Sequence, residues 1–287
     1  MRLGLSMWSY VAVWRRGEIE APDFMRIALE LGAGGVELLD FFFRNQGDWS
    51  AETDAILKAQ DETGLPVGVF SVANDFSDPR PKKRQDQAEV IHRGVDQAVL
   101  FGAGLVRVFA GAGSQAREAD EVVGWFVEGL SQASVYASEK GVRLALENHG
   151  KFAGRGDQIV EIIERVREKS GNDALGANPD TGNFLLVNQD PVEGVRLVAP
   201  YAYMGHFKDF AQKPEGHSGH SFAALDGSEF IGTPIGEGSI DLAGCVRALA
   251  GASFDGWLNV EYEADEDPIT GVPRSMKFAR TVVTGAS

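Results

Sequence analysis

Two hydrophobic rhythms alternate along the chain. Short apolar runs bounded by glycine, proline or polar residues read as buried strands. Longer stretches with apolar positions three and four apart read as helices. Leu3 to Trp8 is the first strand, and Pro22-Asp23-Phe24 opens an amphipathic helix through Leu31 that Gly32 stops. Gly35 to Leu39 is the second strand, and Ser50 caps a helix that runs to Thr63 and stops at Gly64. Pro66 to Val72, a helix from Pro81 to Phe101, Leu105 to Phe109 and a helix from Asp120 to Lys140 continue the series. The second half repeats it: strand Val142 to Leu146, helix Gly156 to Lys169, strand Ala174 to Ala177, helix Pro191 to Val198. Strand Tyr201 to Phe207, helix Asp241 to Leu249, strand Trp257 to Val260 and a helix from Pro273 to Val283 complete it. The sixth strand is the weakest and leans on its neighbours.

Eight short apolar strands alternating with helices indicate parallel βα units. An open doubly wound sheet would bring a glycine-rich phosphate loop after its first strand. Here Ser6-Met7-Trp8-Ser9-Tyr10 puts bulky side chains at that point. The expected fold is therefore α/β, a closed (β/α)8 TIM barrel, with residues 1–287 as a single domain. The longest irregular piece, from Phe210 to Gly238, follows the seventh strand and reads as a lid or binding loop.

In such a barrel all strand C-termini face one end, where catalytic groups sit. Several strands here end in polar tips: Leu146-Glu147-Asn148-His149, Asn178-Pro179-Asp180, His206-Phe207-Lys208-Asp209 and Val260-Glu261. Glu147, Asp180, His206 and Glu261 supply three carboxylates and an imidazole, a donor set suited to one divalent metal. Mn²⁺ is the first expectation, with Mg²⁺, Co²⁺ or Zn²⁺ as alternatives. Buried carboxylates need a compensating cation, and few basic residues lie near them in sequence. A metal holding a carbonyl and a neighbouring hydroxyl acidifies the adjacent C–H, and a carboxylate that takes that proton leaves an enediolate.

Trp8, Asn74, Arg107, His149, Asn183 and Lys208 are further candidates for contacts with substrate. Several keep a second explanation. Lys208 beside Asp209 also suits a rim ion pair, His149 a partner that orients Glu147, and Arg107 a charge paired inside the barrel, with Glu37 as one possible partner. His217 and His220, in a glycine- and serine-rich setting, suit an exposed loop. Gly236-Glu237-Gly238 reads as a tight turn before the last helices.

Composition narrows the partners. A formal charge of −15 disfavours a phosphate-backbone binder and leaves a small molecule. The one cysteine, Cys245, excludes an intrachain disulfide and a cysteine-rich zinc site. The N-terminus is too short and polar for a signal peptide, and no long apolar window suits a membrane span. A cytoplasmic protein is expected, with a homo-oligomer through an outer helix face left open.

The chain resembles the xylose-isomerase-like barrel superfamily of sugar isomerases and epimerases, with ketose 3-epimerases, hydroxypyruvate isomerases and inosose dehydratases among its members. The matching pieces are Leu146 to His149, Pro179-Asp180-Thr181-Gly182-Asn183-Phe184, His206 to Asp209, Gly236 to Asp241, and Val260-Glu261-Tyr262-Glu263. The resemblance implies that Glu147, Asp180, His206 and Glu261 bind one divalent metal. It also implies a carbohydrate substrate whose reacting carbon Glu147 and Glu261 flank as acid and base. Ketose 3-epimerases usually carry a histidine where this chain has Asn183, and no arginine follows soon after His206. Epimerisation or isomerisation is the first expectation, and β-elimination from a keto-sugar, keto-inositol or 3-keto-glycoside the alternative. Barrel endonucleases share the scaffold but carry several clustered histidines, against five in this whole chain. A non-catalytic sugar-binding subunit would be marked by loss of Glu147 or Glu261, and both are present.

Overall fold

A computed structural model describes residues 1–112 and 118–285. Eight parallel strands form a barrel: β1 (Arg2–Ser6), β2 (Val36–Leu39), β3 (Val67–Ser71), β4 (Leu105–Val108), β5 (Arg143–Glu147), β6 (Leu175–Asn178), β7 (Met204–Phe207) and β11 (Trp257–Val260). The order round the sheet is β6-β5-β4-β3-β2-β1-β11-β7. The barrel closes between β6 and β7 through isolated parallel bridges, Ala177 with Ala202 and Asp180 with His206. This seam is thin for a physical reason. Pro179 follows β6 and has no N–H to give to the ladder, so pairing is interrupted there. The bonds that remain are Tyr203 N–H to Ala177 O at 2.9 Å and, around Asp180, His206 N–H to Pro179 O at 3.0 Å and Thr181 N–H to His206 O at 3.1 Å.

The strands are buried almost throughout, as parallel strands covered by helices must be. At the N-terminal end of the barrel the Trp257 indole fills the floor. It fits because Gly35 and Gly68 have no side chain there, and a Cβ would lie 2.6 Å and 2.4 Å from the ring. The glycine stops behave as expected: Gly64 and Gly102 both adopt left-handed backbone at helix ends, with φ of 67° and 70°.

Three departures from the hydrophobic rhythm bear on the site. The first and seventh strands are shorter than the apolar runs that announced them, because Met7–Tyr10 and Ala199–Tyr201 turn into single 3-10 turns. The segment from Phe210 to Gly238 is not irregular throughout. It folds into an antiparallel three-stranded sheet of β8 (Phe210–Gln212), β9 (Phe222–Ala223) and β10 (Glu229–Gly232), in the order β8-β10-β9. Strands this short carry no readable alternation. The last helix starts at Pro268, ahead of the expected Pro273. Asp267 opens it, its carboxylate accepting from Ile269 N–H and its carbonyl from Thr270 N–H. Among the described residues, no helix is long and apolar enough to cross a membrane.

Candidate active site

Register brings the polar strand tips together. Glu147 is the last residue of β5 and pairs across the ladder with Asn178, the last of β6. The bridge between Asp180 and His206 then sets β7 beside them. One donor atom each from Glu147, Asp180 and His206 lie within 4.8 Å of one another, and all three residues are buried. His206 Nδ1 sits 3.2 Å from Glu147 Oε2, 3.5 Å from Glu261 Oε1 and 3.7 Å from Asp180 Oδ2.

These residues fit a divalent cation. Asp180 Oδ2 is buried and accepts no hydrogen bond, although Lys208 Nζ lies 2.9 Å away. Its other oxygen is already used by the N–H groups of Gly182 and Asn183 at 2.9 Å and 3.0 Å, so only Oδ2 is left to face the cluster. Two carboxylates and one imidazole that converge within 4.8 Å make a candidate metal site of mixed N/O character. Glu261 stands just outside the tight triad, held by Lys208 Nζ at 2.7 Å from its Oε2.

The surrounding shell fixes each member. His206 Nε2 points at both oxygens of Glu37, at 3.0 Å and 3.1 Å. With Nε2–H donated there, Nδ1 is the nitrogen turned toward Glu147, Asp180 and Glu261. Glu37 is itself held by Ser71 Oγ–H at 2.6 Å and Asn259 Nδ2–H at 3.0 Å. Arg107 does not pair with Glu37: its Nε lies 3.3 Å from Glu147 Oε2, and its Nη1 donates to Val72 O. Asn183 and Asn178 donate to the two oxygens of Glu147 at 3.1 Å and 3.3 Å. Lys208 is not a rim partner of Asp209. It is buried among Asp180, Glu261 and Glu263. Asp209 instead accepts from the N–H groups of Gly236, Gly238 and Ile240, which explains the glycine turn. A Cβ on Gly238 would stand 2.2 Å from Asp209 Oδ1.

The electrostatics push the two glutamates apart. Burial raises the Glu261 carboxyl, and Glu147 and Glu263 raise it further, so that it reaches about 7 despite His206 and Lys208. Burial also acts on Glu147, but His206 and Arg107 outweigh it and hold that carboxyl below the usual range. Glu37 is likewise buried, and the His206 charge draws it down to about 2. Burial opposes the His206 charge, yet Glu261, Glu37 and Glu147 together raise it well above an ordinary imidazole. A divalent ion bound among these groups would lower both glutamates and displace a proton from His206.

A cavity of about 250 Å³ opens over the cluster, walled by Arg107, Glu147, Asn183, Lys208, Glu261 and Glu263 with Trp8, Phe41, Phe109 and His149 around them. Trp8, Arg107, His149, Asn183 and Lys208 all line this cavity. Asn74 does not line it. Its amide donates to Phe109 O at 2.6 Å and accepts from Phe109 N–H at 2.9 Å, so the side chain serves the loop after β4. His149 packs on Phe109 with ring centroids 5.0 Å apart and makes no hydrogen bond to Glu147 among the described residues. His217 is not free in solvent but pairs with Asp265 at 3.1 Å, while His220 is exposed. Ser71 and Asn259 escaped the sequence reading. Asn178 and Glu263 stood there inside polar strand tips, with no role given to either.

The family model for the xylose isomerase-like TIM barrel matches residues 25–282. An inosose dehydratase of Lacticaseibacillus casei is 30% identical over 148 residues, half of this chain and 48% of that protein. The chain thus spans about half the length of the curated relatives it matches. A xylose isomerase-like TIM barrel protein from Mycobacterium smegmatis, solved in complex with magnesium, superposes with a TM-score of 0.75 at 18% identity, covering 99% of this chain and 97% of that one. The D-psicose 3-epimerase of Clostridium cellulolyticum H10, solved with D-tagatose, gives a TM-score of 0.75 at 12% identity, covering 99% of each chain. The barrel order, the strand-end cluster and the match over nearly the whole length agree, and the chain belongs to the xylose isomerase-like TIM barrel family.

Proposed function

We propose that this chain is a divalent-metal-dependent sugar isomerase or epimerase that removes a proton next to a carbonyl and works through an enediolate. The observation that carries this reading is that Glu147 and Glu261 reach one cavity from strands separated by β6 and β7, each beside its own cation, Arg107 or Lys208. A divalent ion held by Glu147, Asp180, His206 and Glu261, Mn²⁺ before Mg²⁺, Co²⁺ or Zn²⁺, would polarise the substrate's carbonyl and adjacent hydroxyl as a Lewis acid.

The protein's own groups do the rest. One glutamate takes the proton from carbon and the other returns it. Return to the opposite face of the same carbon inverts it, and return to the neighbouring carbon exchanges aldose for ketose. Arg107, Asn178 and Asn183 fix the Glu147 carboxylate in one orientation. Asn183, Lys208 and His149 offer donors to sugar oxygens, and Trp8 offers an aromatic face to the ring.

A second reading, elimination of a β-hydroxyl or a glycosidic oxygen, is favoured by Lys208. Its ammonium is buried at 2.7 Å from Glu261 Oε2, where it can stabilise a departing oxygen. The likeness to inosose dehydratases supports the same branch. Proton NMR in D₂O with Mn²⁺, on a panel of ketoses, inososes and keto-glycosides, separates the readings. C–H exchange with epimer or isomer formation supports the first, and a new vinylic signal supports the second. No exchange with any substrate refutes both.

A further inference from the structure

A second cavity, of about 410 Å³, lies against the first. The two share Trp8, Phe222 and Glu263 as a common wall. The first, at about 250 Å³, is below the roughly 300–1,000 Å³ of ordinary ligand pockets and is filled by one sugar-sized body. The wall between them is tied to the reacting groups. Trp8 Nε1–H donates to one Glu263 oxygen, and the other faces Lys208 Nζ at 3.1 Å.

Resting on the keto-sugar reading above, we propose that the substrate carries a second, uncharged sugar ring, and that this ring occupies the cavity beyond Trp8. Trp8 and Phe222 give aromatic faces that pack against the apolar C–H face of a sugar. Glu263, which already holds Trp8 and Lys208, and Asp265, which holds His217 and the His220 N–H, keep lone pairs that accept from hydroxyls. Arg15, at the rim, pairs with no carboxylate among the described residues and is free to donate. The two carboxylates would repel a phosphate, and the volume exceeds what one needs. The wall over this cavity comes partly from the small sheet: Phe222 on β9 stacks on Phe210 of β8 with centroids 4.8 Å apart. The insertion after β7 thus shapes the second compartment as well as the first. The reacting ring sits at Glu147 and Glu261, and the glycosidic bond passes Trp8.

The test compares C–H exchange with D₂O on 3-keto-maltose, 3-keto-glucose and the 6-phosphate of 3-keto-glucose, using wild type and Ala12→Trp with Mn²⁺. Ala12 is exposed on the second cavity's wall and touches none of the reacting groups, so the indole fills the compartment without disturbing them. The expected result is faster exchange on the disaccharide by wild type. In Ala12→Trp its KM rises about tenfold or more, while kcat/KM on the single ring stays within about twofold. Ala12→Ser, which leaves the space open, keeps the wild-type preference. Exchange on the single ring with no gain from the second ring, a preference for the phosphate ester, or indifference to Ala12→Trp overturns this proposal and leaves the keto-sugar reading standing. Absence of exchange on these three and on the wider ketose and inosose panel overturns both.

Discussion

Glu37 touches no substrate in the proposed reaction, yet its replacement is a sharp test of the metal site. Ser71, Asn259 and His206 all donate to its two oxygens. In Glu37→Gln one oxygen becomes an NH₂ group that must meet a donor. The Ser71 hydroxyl can rotate to accept, so the amide settles with its nitrogen toward Ser71 and its oxygen toward Asn259 and His206. The imidazole keeps an acceptor for Nε2–H but loses the negative charge that makes Nδ1 a strong donor. Glu37→Leu loses the acceptor as well. Outer partners of metal-bound histidines are worth about 10–100-fold in metal affinity, or about 1.4–2.7 kcal/mol. Glu37→Gln is expected near the lower end and Glu37→Leu near the upper. Metal-free protein is titrated with Mn²⁺ while free Mn²⁺ is followed by electron paramagnetic resonance, with circular dichroism to check the fold. If both folded variants bind Mn²⁺ as wild type does, His206 is not a ligand through Nδ1 and the site is misassigned.

Lys208→Met leaves Asp180, Glu261 and Glu263 without their shared cation. Breaking a buried pair costs about 3–5 kcal/mol, so its Tm in EDTA should fall well below that of wild type. Added Mn²⁺ should recover more of the loss than wild type gains, and equal metal responses would count against the cluster sharing one charge balance. Asp209→Ala removes the acceptor for three backbone N–H groups in the Gly236–Ile240 turn. These residues are half-buried or exposed, so the ordinary net value of about 0.5–1.5 kcal/mol per hydrogen bond applies. Urea unfolding should show a loss of at least about 1.5 kcal/mol, and a smaller loss would mean that water replaces the carboxylate freely. Cys245 is fully buried, and burial pushes its thiol up to about 12. A thiol reagent at pH 8 should therefore label it only when the chain is unfolded, and fast labelling of native protein would refute its core position.

The eight apolar runs were legible because each strand and helix declares its own period, and periodicity is a property of neighbours in sequence. The polar tips at Glu147, Asp180, His206 and Glu261 were legible for the same reason: each breaks an apolar run at its end. The partners of those tips were not. Arg107 was as compatible with Glu37 as with Glu147 until the ring of strands closed and set His206 between Glu37 and the other carboxylates. Lys208 and Asp209 are adjacent in sequence, yet β7 leads one into the cluster and the other to the Gly236 turn. Asn74 carried the right side chain beside the right strand, and only the path of the β4 loop shows that its amide is spent on Phe109. The sheet of β8, β9 and β10 was hidden because strands of a few residues leave no alternation to read. The chain alone thus determined the barrel and the chemical character of its mouth. Which charges meet, and how far the cavity extends past Trp8, was decided by inter-strand register and by the seam between β6 and β7, because those set distances between residues that no local pattern relates.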